Sequence, residues 1–268
     1  MTDLLAIFLR KELRDLRANP QVLPGYLLLP AVAVLLPVIL LAVVPLDPGV
    51  TDAGGGVADL FRLADLDPAL AGFPPRERMI RLAIREFGAF FLLIPVILSS
   101  MSAALSVAAE KQQRTLEPLL ATPIDDRTFL LAKLVAAVGP AIVVTWGAAL
   151  VEAAGVGIVT AVRIGTTVLP GWPYLVAIVL VVPLGGIVAA LVGMLVSVRA
   201  PDVQAAIQSA GLWVVPAALV LIGSVGRPAF RGVLIALIVA LVLAGAAAAL
   251  FRRLRRRFER EEILTRWA

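Results

Sequence analysis

Cysteine and histidine are both missing from this sequence. Without cysteine there is no disulfide framework, no thiolate metal site and no cysteine nucleophile. The absence of histidine removes imidazole general-base chemistry and, with the first gap, most zinc, haem and iron–sulfur ligation. Charge is sparse too: Asp, Glu, Lys and Arg make up 16% of residues, against about a quarter in soluble domains. No G-x-x-x-x-G-K-[ST] phosphate loop occurs, so the chain shows no means of binding ATP by itself. An enzyme reading therefore starts with few of the usual reagents.

What is present is apolar. Hydrophobic residues account for 60% of the 268 positions and the mean hydropathy is +0.98. They fall in blocks of about 20 residues, the length that crosses a bilayer as helix, and not in the short alternating pieces of a water-soluble core. The expected fold is an all-α integral membrane protein with about six spans, at residues 24–45, 87–109, 134–154, 174–198, 205–222 and 232–251. Together these form a single transmembrane domain over 1–268.

Residues 1–20, "MTDLLAIFLRKELRDLRANP", place Leu5, Leu9, Leu13 and Leu16 on one helical face and Asp3, Arg10, Arg14 and Arg17 on the other. That pattern predicts an interfacial helix lying among headgroups, ended by Asn19-Pro20. Its charges follow the apolar residues, so it is not read as a secretory signal. Residues 47–85 predict an external loop with some helix, whose charged end runs into the second span as an amphipathic helix. Pro30 and Pro37 predict kinks in the first span.

Orientation follows from the basic residues. With the N-terminus inside, Lys11, Lys111, Lys133 and the tail at 252–268, with Arg252, Arg253, Arg255, Arg256 and Arg257, all face the cytoplasm. An even number of spans then leaves both termini cytoplasmic in a cell (inner or plasma) membrane. The net charge of +5 is explained by anionic lipid beside the spans, not by nucleic acid.

The 110–133 segment, "EKQQRTLEPLLATPIDDRTFLLAK", interrupts the apolar middle with charge. Leu116, Leu119 and Leu120 sit at helical spacing, and Pro118 is tolerated in a first turn. Thr122, Pro123 and Asp125 have the order of a helix start. A short lateral helix with an apolar face is suited to docking in a partner's groove.

This stretch resembles the signature of type-2 ATP-binding-cassette (ABC) transporter permeases at Glu110, Thr115, Leu116, Glu117, Leu119, Leu120, Thr122, Pro123 and Lys133. Arg114 stands where the family has glycine. The resemblance extends to the amphipathic start, the six spans and the polar link "SVRAPDVQAAIQSA". It implies a permease subunit, mainly of exporters, that binds no cofactor itself. Two permeases and two separate ABC ATPase subunits would form the working unit, with ATP and Mg²⁺ on the ATPases. Residues 110–133 would then be a cytoplasmic coupling loop, and Glu110, Arg114 and the other signature residues from Thr115 to Pro123 its ATPase-coupling set. Membrane lipids are the remaining partners.

Glu152 reads either as a pathway carboxylate or as a headgroup-level acid near the outer interface, the second being favoured by its distance from Lys133. Gln204 and Gln208, with Asp202, either line an inner mouth or cap the fifth span; capping is favoured. Gly185, Gly186 and Gly193 predict close helix packing, and Trp146, Trp172, Trp213 and Tyr174 read as belt residues. Two other classes of function, an intramembrane lipid-modifying enzyme and a non-transporting scaffold, remain as alternatives.

Overall fold

The computed structural model describes residues 10–11, 14, 23–43, 64–65, 67, 70–88, 90–112, 126–198, 200–213 and 233–257. Among these the chain is helical, with no strand. The helices are α1 (Leu23–Val43), α2 (Pro75–Gly88), α3 (Phe90–Gln112), α4 (Asp126–Ile164), α5 (Trp172–Val176), α6 (Val182–Ser197) and α7 (Val233–Arg257). A π-helical turn, Ala177–Val181, joins α5 to α6 without a break, and residues 203–213 are also helical.

Five of the described stretches are long and apolar enough to cross a bilayer: Leu23–Val43, Pro75–Gln112, Arg127–Ile164, Trp172–Ser197 and Val233–Arg255. The span expected at 205–222 is described only as far as residue 213. α3 lies at the centre, packed on α4 and most extensively on α6, while α1 leans on α4 and α7 on α6. The outer helices α1 and α7 keep exposed apolar faces that include Leu28, Leu35, Ile39, Leu234 and Leu241.

The tightest seam is between α3 and α6, and glycine creates it. A Cβ on Gly193 would stand 2.5 Å from the backbone oxygen of Ser100, and one on Gly186 3.2 Å from Ser99 Oγ. Ser197 Oγ extends the seam by donating to the Ala104 carbonyl at 2.8 Å. Without side chains in the way, the two backbones approach closely enough for dispersion to act across the interface.

Glycine also explains a difference at α4. The "GVG" stretch after residue 154 reads as the start of a connecting interval, yet the helix continues to Ile164. Gly155 faces Val38 of α1, where a Cβ would come within 2.9 Å of a Val38 methyl, and Gly157 faces Thr167 and Leu169. These glycines admit neighbours against the helix and do not end it. Thr160 closes the far end: its hydroxyl donates to Val156 and Gly157 carbonyls and accepts the Val168 amide at 3.0 Å.

At that same end α2 buries Met79, Ile80, Ala83 and Ile84 against Leu41, Val156 and Val168. Its charged face is held by short-range pairs. Arg81 bonds Glu77 at 2.6 Å and lies over the Phe73 ring, Arg78 reaches Asp65 and the Phe73 carbonyl, and Arg85 meets the buried Asp67. The amphipathic α2 is followed by the apolar α3, the order that the transition from charged to apolar residues predicts.

Candidate functional site

α3 and α4 are neighbours that end and begin around the 113–125 segment, so the last turns of one face the first turns of the other. Ser106 and Glu110 are one turn apart on α3 and share a face; Phe129 and Lys133 are one turn apart on α4. Lys133 is 1% exposed and Glu110 4%. An ammonium so deep in a bundle needs a counter-ion, and Nζ of Lys133 has one in Oε2 of Glu110 at 2.7 Å. Its aligned hydrogen bond goes to Ser106 Oγ, also at 2.7 Å, so the contact with Glu110 is chiefly electrostatic. The Phe129 ring, 5.2 Å from Nζ, provides a π face.

The other carboxylate oxygen of Glu110 accepts a hydrogen bond from Lys11 at 3.1 Å. Lys11 is half-exposed and comes from the N-terminal segment, of which Arg10, Lys11 and Arg14 are described, all helical. The adjacent Lys111 donates to the Ala200 carbonyl at 3.0 Å and to that of Val198 at 3.4 Å, tying α3 to the turn after α6. These are the only three lysines in the chain. Two of them meet Glu110 and the third, its neighbour, reaches the turn after α6, so that together they join the N-terminal segment, α3, α4 and the end of α6. The basic end of α7 docks here as well, with Leu254 fully buried beside Val107, Phe129 and Leu130.

Of the signature residues, Glu110 and Lys133 are thus brought into contact. Arg114, Thr115, Leu116, Glu117, Leu119, Leu120, Thr122 and Pro123 lie outside the described residues. The parts of the joint that sequence reasoning missed are Lys11, Ser106 and Lys111. The sequence signal, a lysine inside the apolar run "LLAKLV" that requires a partner, points to the isolated Glu closing the preceding span and not to these three.

Glu152 lies in the second half of α4, about three turns before its end, and points inward. Its side chain is completely enclosed, on the same face as the buried Ala148, Ala149 and Val156. Oε2 accepts a hydrogen bond from Tyr174 at 3.3 Å, while Oε1 has no hydrogen-bond partner. Tyr174 and Trp146 do more than line a belt. The Tyr174 ring covers Gly88 and meets Phe91 edge-on at 6.5 Å. The indole of Trp146 donates to the Ile178 carbonyl at 2.9 Å, within the π turn, where the wider register displaces carbonyls from their usual partners.

Gln204 and Gln208 are exposed on one face of the 203–213 helix. The opposite face buries Ala206 and Ala210 against Ala104 and Ala108. Asp202 is the cap: its Oδ1 accepts the Ala205 amide at 2.7 Å.

A helical bundle with five bilayer-length apolar elements among the described residues defines a multi-pass membrane protein. More narrowly, the chain belongs to the ABC-2 family transporter proteins, whose family model matches residues 6–230. It is accordingly a permease of an ABC transporter, a transmembrane component lacking the ATPase site, and the family implies association with an ABC ATPase subunit. No curated protein and no solved structure matches the chain.

Proposed function

We propose that this permease works as half of an ATP-driven exporter, pairing with a second permease and two ATPase subunits that hold ATP and Mg²⁺. Both termini and the 110–133 segment face the cytoplasm of a cell membrane. The observation that carries this reading is the charge joint at Glu110. It fastens both roots of the segment bearing the signature residues to each other and to the N-terminal helix. A loop anchored in this way transmits a push at its tip as movement of α3 and α4, whereas a loose one absorbs it.

Leu116, Leu119 and Leu120 dock the lateral helix in a groove of the ATPase, and Glu117 orients it. Closure of the ATPases on ATP then shifts the permease pair between inward-open and outward-open packings. The exposed apolar faces of α1 and α7 provide surface for lipid and for the second permease. Co-purification tests the reading. The full chain should bring down an ABC ATPase and change its turnover; a chain that binds no ATPase, or acts on lipid alone, would overturn it.

A further inference from the structure

The Glu152 carboxyl is the one buried acid for which the bundle's own architecture supplies no opposite charge among the described residues. The surrounding elements are apolar: α1, the π turn and α6 contain no charged residue, and α3 has none before Glu110. At this end of the bundle, Arg85 of α2 is engaged with Asp67, which precedes that helix, and with the adjacent Glu86, and Arg163 donates to the Leu41 carbonyl. Glu152 itself lies between two hydrophobic clusters, one containing Phe91, Ala148, Ala149 and Ile178, the other Leu41, Ile80 and Val156. One hydroxyl, that of Tyr174 at 3.3 Å, reaches Oε2, and nothing bonds Oε1.

A carboxylate in such surroundings is costly unless a cation compensates it. Aromatic rings beside an acid in an apolar recess are the chemistry that favours an organic cation, whose diffuse charge needs little hydration. We propose that Glu152, with Tyr174 and Phe91, forms the subsite for the charged centre of a hydrophobic monovalent organic cation carried by this permease. The site is closed in the present structure. Its cover is the Tyr174 ring, seated on the bare Cα of Gly88 at the α2–α3 joint and borne by a helix start that runs into the π turn. A π turn can relax to α-helical register, which would swing Tyr174 away from the acid. The proposal rests on the transport reading for its purpose, but not for its test.

The probe is tetraphenylphosphonium, offered to the purified full-length chain in lipid nanodiscs without any ATPase. Wild type should bind it saturably, Glu152→Gln should weaken binding about tenfold or more, and Glu152→Asp, which keeps the charge, should retain most of it. Independently of any variant, dicyclohexylcarbodiimide should label Glu152 in the wild-type chain, as read by mass spectrometry, and tetraphenylphosphonium should protect it. Absence of saturable binding, equal affinity in wild type and Glu152→Gln, equal losses in the Gln and Asp variants, or labelling that the cation does not slow would each overturn the site. Because no ATPase is present, these outcomes are separate from failure of the coupling reading, which would appear as absence of a partner.

Discussion

Lys133 and Glu110 form a buried ion pair between α3 and α4. Both are nearly enclosed, so removing one leaves an uncompensated charge in the bundle. Lys133→Met should therefore destabilise the chain by about 3–5 kcal/mol, and adding Glu110→Gln should recover much of that loss. Unfolding in detergent, measured for both singles and the double, provides the cycle. Lys11→Ala should cost less than about 1 kcal/mol, because that ammonium is half-exposed and solvent screens its contribution. On the coupling reading proposed above, its substitution should instead lower ATPase stimulation, as read by the partner's turnover. The sequence exposes Lys133 as an oddity in an apolar run. It does not reveal the third partner, since Lys11 lies 99 positions from Glu110 and no local rule spans that distance.

Among the elements, the α3–α6 seam and the α5–α6 π turn behave differently. At Gly193 an added methyl would meet backbone that cannot turn aside. Gly193→Ala should accordingly part the helices at a cost of about 1–3 kcal/mol, seen as a lowered melting temperature. At the π turn, Trp146→Phe keeps the ring but removes the bond to Ile178. The expected loss is about 1 kcal/mol, with faster amide exchange confined to residues 177–181. Small residues at these positions were legible as packing sites in the sequence. The continuation of α4 through Gly155 was not, because glycine reads alike as a helix breaker or as a place of close approach, and only Val38 on α1 distinguishes the two.

The molecule as a whole places two buried carboxyl sites along α4, Lys133 of the first and Glu152 of the second both lying on this one helix. One, at Glu110, adjoins the segment proposed to meet the ATPase; the other, at Glu152, lies further along α4 beneath Tyr174. One continuous helix, with Pro140 as its single internal proline, joins the two. Glu117→Ala or Leu120→Arg should uncouple ATP hydrolysis from transport while membrane insertion stays unchanged; undiminished coupling in both variants would count against the docking role. The natural absence of cysteine makes sidedness directly measurable. Leu120→Cys should react with an impermeant maleimide from the cytoplasm and Leu169→Cys from outside.

Membrane residence was readable from run length and composition, because transfer into a bilayer sums over about 20 neighbouring residues and needs no knowledge of the rest of the chain. Which charges meet was not. Lys11 with Glu110, Lys111 with Ala200 and Tyr174 with Glu152 depend on how helices remote in sequence pack and on the rotation each adopts. Electrostatic and hydrogen-bond energies decay over a few ångströms, so such partners are chosen by three-dimensional proximity, which a linear pattern does not encode.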